Sequence, residues 1–98
     1  MEMRKELTIY YVYIVKCADE TLYTGIATEL ERRIDEHNSS DKGAKYTKVR
    51  RPVALVYHEE YPDRSTASKR EYEIKKKMTR TQKLKLIATS YDMISKMT

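Results

Sequence analysis

Tryptophan and phenylalanine are absent from these 98 residues, cysteine occurs once, and glycine, proline and histidine occur twice each. Each scarcity removes a class of function. Two widely separated glycines, Gly25 and Gly43, cannot build a three-glycine dinucleotide fingerprint or a Walker loop. His37, His58 and Cys17 are too few soft ligands for a structural zinc site. A lone cysteine has no disulfide partner in the chain, and Met1–Glu6 carries mixed charge where a signal peptide needs a basic start and an apolar run. Together these point to the reducing cytosol, so a cytoplasmic location is expected. The longest uncharged apolar stretch, Leu7–Val15, falls far short of a bilayer crossing, so no membrane partner is expected.

What remains is tyrosine and charge. All nine aromatic residues are Tyr, a side chain that packs as a hydrophobe, stacks on bases and carries a titratable hydroxyl. The charge is unevenly spread. Residues 1–41 hold five basic and nine acidic side chains, whereas residues 42–98 hold fifteen basic and six acidic. A net +5 gathered in one half fits a face for an anionic polymer, or an ordinary lysine-rich solvated surface. At this length one compact domain is expected over 1–98.

Local patterns give an order of elements. Tyr10–Val15 is β-branched and aromatic and reads as a strand, with Tyr11, Tyr13 and Val15 on one face and Val12 and Ile14 on the other. Leu22–Ile26 returns as its hairpin partner, with Gly25 at a close backbone approach or bulge. Thr28 and Glu31 form a capping-box pattern ahead of a helix whose Leu30, Ile34 and His37 share a face with Arg33 at its edge. A polar loop follows, then a basic run, Lys42–Arg51, holding Tyr46. Pro52 introduces a third strand over Val53–Tyr57, with Glu59-Glu60 at its surface end. Tyr61–Ser65 connects to a helix carrying Ala67, Ile74 and Met78. A second capping-box pair, Thr79 and Gln82, starts another helix with Leu84, Ile87, Ala88 and Tyr91 on one face, and the tail 92–98 extends it or frays. The expected fold is α+β, β-β-α-β-α-α, with a three-stranded antiparallel sheet flanked by helices.

Two sets of polar residues stand where apolar ones belong. Glu71 fills the open slot of the Ala67, Ile74, Met78 stripe, and a buried carboxylate needs a partner, either an ion pair such as Lys75 or a metal ion. Arg33 and His37, four apart, either grip one small anion together or pack as a snorkelling arginine beside a half-buried histidine.

These residues resemble a known family. Tyr11-Val12-Tyr13 and Tyr23-Thr24-Gly25 stand where the GIY-YIG nuclease superfamily has its two named tripeptides. Leu30–Asn38 resembles its first helix. Gly43–Thr47, Arg51-Pro52 and the glutamate of Lys69-Arg70-Glu71-Tyr72 continue the likeness over residues 9–88. It looks closest to the small stand-alone bacterial GIY-YIG proteins, and next to the structure-specific subunit that cuts branched DNA. The resemblance implies a metal-dependent DNA endonuclease, a hydrolase acting on phosphodiester bonds. Tyr13, or else Tyr23, would be the general base, Arg33 the phosphate clamp, His37 its support or the acid at the leaving oxygen, and Glu71 the ligand of one Mg²⁺ or Mn²⁺. Gly25 would shape the turn. Lys42, Lys45, Lys48, Arg50 and Arg51 would follow flanking phosphates of branched or single-stranded DNA, with Tyr46 stacking on a base or touching a phosphate. The asparagine that several relatives carry after the glutamate helix has no counterpart here. Two rival readings are a catalytically silent nucleic-acid-binding module on the same fold, and a protein-interaction domain whose basicity is incidental.

Overall fold

The computed structural model describes the backbone of residues 8–97 and the side chains of residues 8–90. Strand β1 (Tyr10–Lys16) lies at the centre of a three-stranded antiparallel sheet of order β2-β1-β3, with β2 (Leu22–Ala27) on one side and β3 (Ala54–Tyr61) on the other. A central strand is buried on both faces, which is why β1 reads as an almost unbroken run of Tyr, Val and Ile. Its alternation sorts the core into two layers. Val12 and Ile14 pack with Ala67 and Ile74 on one face, whereas Tyr13 and Val15 pack with Cys17 and Val53 on the other. Helices α1 (Leu30–Ser39) and α2 (Lys45–Lys48) follow β2. Helix α3 (Arg64–Tyr72), a π-helical segment (Glu73–Lys77) and α4 (Arg80–Met97) follow β3. The flanked three-stranded antiparallel sheet is the α+β architecture expected from the sequence.

Local chemistry sets the helix ends. Asp63 caps α3 by accepting from the Thr66 amide at 2.7 Å. The Thr79–Gln82 box forms in both directions, at 2.8 and 3.1 Å, and starts α4. The Thr28–Glu31 box does not form. Glu29 takes the N-cap position, so Thr28 sits one residue too early, and the Glu29 carboxylate turns to Arg32 instead.

Other boundaries shift for similar reasons. Residues 45–48 of the basic run wind into the short α2, an element the sequence pattern did not indicate. Strand β3 begins at Ala54 and continues through Glu59 and Glu60 to Tyr61. Glu59 is not a surface terminus. Its carboxylate takes both Nε and Nη2 of Arg70 at 2.9 Å and accepts from the hydroxyls of Tyr57 and Tyr61. On α4 it is Leu86 and Ile87 that pack on the core, whereas Leu84 and Ala88 are exposed; the side chain of Tyr91 lies outside the described residues. The backbone of α4 runs on through Met97, so the tail extends the helix.

Candidate active site

Tyr13 and Gly25 face each other across β1 and β2. The phenol of Tyr13 lies over the glycine so closely that a Cβ on Gly25 would stand 2.5 Å from its oxygen. The need at Gly25 is therefore space rather than an unusual backbone angle. From there the Tyr13 hydroxyl reaches Nε2 of His37 on α1 at 2.7 Å, and His37 Nδ1 lies 2.8 Å from Oγ1 of Thr47 on α2.

Proton placement follows from the last member. The Thr47 hydroxyl donates to the Ala44 carbonyl at 2.9 Å, so its oxygen accepts from Nδ1–H, Nε2 holds the lone pair, and Tyr13 donates to it. The Ala44 amide, which would favour the other tautomer, stands farther off at 3.4 Å from Nδ1. Gly43 makes the chain possible. A Cβ there would come within 2.6 Å of the Glu36 carbonyl, so only glycine lets the loop fold back on α1 and carry Thr47 to His37.

Burial sets the protonation states. It raises the Tyr13 phenol to about 12, with Arg33 opposing the shift and the charge of Glu71 reinforcing it. Burial also raises Tyr23, again against Arg33 and with Glu71. His37 is pushed down to about 4 by burial, then by Arg33, and is neutral at pH 7. It is also wholly buried. Of the two roles expected of His37, a neutral, enclosed imidazole in contact with Tyr13 fits support rather than the acid at the leaving oxygen.

Arg33 is fixed from below. Its Nη1 donates to Glu36 at 3.0 Å and to the Lys42 carbonyl at 2.8 Å, and the same Glu36 holds Arg32 at 3.4 Å. Arg33 in turn keeps the Glu36 carboxyl below its ordinary range. Glu71, half-buried on α3, forms no ion pair among the described residues, and the expected bond to Lys75 is not made. Lys75 instead stands over the Tyr23 ring at 5.6 Å. The structure thus brings Tyr13, Tyr23, Arg33, His37 and Glu71 together from four elements. A lone, unpaired carboxylate beside two phenols is an oxygen donor suited to a hard divalent cation that keeps most of its waters. No group of three metal-ligating side chains accompanies it among the described residues.

The basic run divides. Lys42, Lys45 and Lys48 are exposed. Arg51 instead binds the end of α1, donating to the carbonyls of Ser40 at 2.6 Å and Glu36 at 3.3 Å. Arg50 covers the Tyr46 ring at 3.9 Å and pairs with Asp19 at 3.1 Å, without hydrogen-bond alignment. Tyr46 also stacks on Tyr23 at 5.8 Å and is itself exposed. Arg50 and Arg51, expected to follow phosphates, are also engaged within the fold. Thr47, Glu36, Gly43 and Lys75 were missed as members of the site. For Thr47 the available signal was its place at the end of the Gly43–Thr47 motif.

Comparison with known proteins places the chain in a family. The profile of the GIY-YIG catalytic domain matches residues 9–85. UPF0213 protein DP2720 of Desulfotalea psychrophila is 62% identical over 81 residues, covering 83% of this chain and 73% of that protein. UPF0213 protein SSP2268 of Staphylococcus saprophyticus is 58% identical over 79 residues, covering 81% and 94%. The solution structure of protein EF2693 from E. faecalis is similar at a TM-score of 0.58, with 41% identity and 93% and 92% coverage. That of UPF0213 protein BH0048 from Bacillus halodurans gives 0.54, with 42% identity and 83% and 84% coverage. On the extent of these matches, the chain belongs to the GIY-YIG family, among its small UPF0213 proteins.

Proposed function

We propose that this protein is a cytosolic, metal-dependent endonuclease that hydrolyses phosphodiester bonds in DNA. The observation that carries this reading is the convergence of a guanidinium, an unpaired carboxylate and a histidine acceptor on the phenol of Tyr13. Arg33 is the clamp for the scissile phosphate, its remaining donors matching two phosphate oxygens. Tyr13 takes a proton from the attacking water; the new P–O bond forms as the bond to the leaving oxygen breaks, and that oxygen takes its proton from a solvent water. Its own proton has a place to go, because Nε2 of His37 is an unprotonated acceptor already in contact.

With Tyr13 near 12 and His37 near 4, the proton rests on the phenol in the free protein. Moving that proton from a phenol near 12 to an imidazole near 4 costs roughly 11 kcal/mol, so positive charge must be brought to the phenol. Arg33 provides part. Mg²⁺ or Mn²⁺ held by Glu71 would supply the rest when bound, and would screen the phosphate. Lys42, Lys45 and Lys48 attract the flanking backbone, and the exposed edge of Tyr46 is left for a phosphate contact.

The same enclosure supports a second reading. Tyr13 is only 1% exposed. A phenol so covered suits a DNA-binding module that no longer cleaves. Incubating branched and single-stranded DNA with Mn²⁺ and wild type, Glu71→Ala or Tyr13→Phe separates the two. Cleavage by wild type, lost by about 100-fold or more in both variants with binding retained, is expected of the nuclease. Binding by all three without cleavage establishes the module.

A further inference from the structure

Helix α3 and the π segment carry a second stripe beside the apolar one. Arg64, Ser68, Glu71 and Lys75 follow one another at i, i+4, i+7 and i+11, so they share a face. At its start, Arg64 lines a cleft of about 300 Å³ whose other walls include Ala27, Thr28, Arg32, Arg33 and Glu36. At its far end Lys75 stands over Tyr23. Between them Glu71 lies close enough to the phenols of Tyr13 and Tyr23 for its charge to act on both.

Of the six cations on α3 and the π segment, Arg70 alone forms an ion pair among the described residues, and Arg64 and Lys75 are the two that stand on the stripe. Arg70 is bound to Glu59 and Glu73. In the cleft, Arg32 is held by Glu29 and Glu36, and Arg33 by Glu36. Arg64 and Lys75 are exposed and form no ion pair among the described residues. Two free cations thus bracket the central carboxylate along one helix face, on the order of 15 Å apart along the axis. That distance spans several phosphates of a nucleic-acid strand.

We propose that Arg64 and Lys75 are phosphate-binding residues that seat one DNA strand lengthwise along α3, on either side of the phosphate at Arg33 and Glu71. This deepens the nuclease reading and rests on it for the choice of polymer. It gives the strand a direction across the molecule: from the Arg64 cleft, past the site, to Lys75. The exposed lysines of the 42–48 run then serve the remainder of the substrate.

The test is salt-dependent binding of single-stranded oligodeoxythymidylate by fluorescence anisotropy, for wild type, Arg64→Ala, Lys75→Met and the double variant. Lys77→Met is the control, carrying the same charge change outside the stripe, where its ammonium faces the Tyr72 ring. Thermal melts confirm that each variant is folded. Each stripe variant is expected to weaken binding about fivefold near 0.1 M salt and to lower the log–log salt slope by about 0.7, with the double variant lowering it by about 1.4. The control should match wild type. Stripe variants that behave like the control overturn the proposal. Cleavage by wild type with Mn²⁺ is scored in parallel. Slopes that fall while wild type fails to cleave refute the nuclease reading and support the strand path; cleavage with unchanged slopes does the reverse.

Discussion

Gly25 and Tyr13 form one cross-strand unit: the glycine is the floor on which the phenol lies, and no other side chain fits beneath it. Gly25→Ala must push the Tyr13 ring off His37. We expect a loss of about 1–3 kcal/mol from overpacking. We also expect a larger loss of cleavage than stability alone explains, because the phenol no longer meets its acceptor. Urea melts give the first quantity. A cleavage assay with Mn²⁺ gives the second, and imidazole nitrogen NMR shifts of His37 report the broken contact; unchanged shifts would contradict it.

The depressed pKa of His37 makes stability depend on pH with a definite sign. Between its ordinary 6.5 and about 4, the unfolded chain holds more protons than the folded one. Stability is therefore full above about 6.5 and falls as the pH drops toward about 4, below which this contribution is exhausted. The total is on the order of 2–3 kcal/mol. Melts from pH 7.5 to 4 should show this slope in wild type, and His37→Gln should flatten it. Equal slopes in the two proteins would place the titration elsewhere.

Arg51 and Lys45, both in the basic run, should fail in opposite ways. Arg51→Ala leaves carbonyls at the end of α1 without their donor and should cost about 2–4 kcal/mol. Lys45→Ala touches an exposed side chain and should leave the melting temperature within a degree or two. Its effect should be to weaken DNA binding across all sequences alike. Denaturation and anisotropy on the same two variants check both halves.

The Arg70–Glu59 pair should behave as a half-buried clamp. Arg70 holds the Glu59 carboxyl below its ordinary range against the upward push of burial, and Tyr57 and Tyr61 donate to it as well. Arg70→Ala strands that carboxylate and should cost about 3–5 kcal/mol, whereas the double change Arg70→Met with Glu59→Leu should recover much of the loss. A double-mutant cycle by urea denaturation measures the coupling.

Much of this was legible in the sequence because period and chemistry agreed. The two-residue alternation of Tyr10–Val15 placed Tyr13 and Val12 on opposite faces, and the Thr79–Gln82 box set the start of α4. The site's convergence was legible through the ordered motif rather than through any single residue. What escaped depends on contacts between segments. Nothing local in Arg50 or Arg51 says whether its guanidinium meets solvent or a carbonyl; that is decided by where α1 ends and the basic run folds back. Thr47 looked like any loop threonine until Gly43 brought it under His37. The burial of Glu59 was hidden because its partners, Tyr57, Tyr61 and Arg70, come from alternating strand positions and from α3.

The central position of β1 also governs how the chain reaches its native state. That strand pairs with β3 between residues as far apart as Tyr10 and Tyr61. Closing so long a loop delays the reward for the entropy given up, which slows folding relative to a helical protein of equal size. During synthesis the β1–β2 hairpin emerges early, but one edge of its most apolar strand stays open until Tyr61 has left the ribosome. A chain truncated before β3 would leave that edge open permanently.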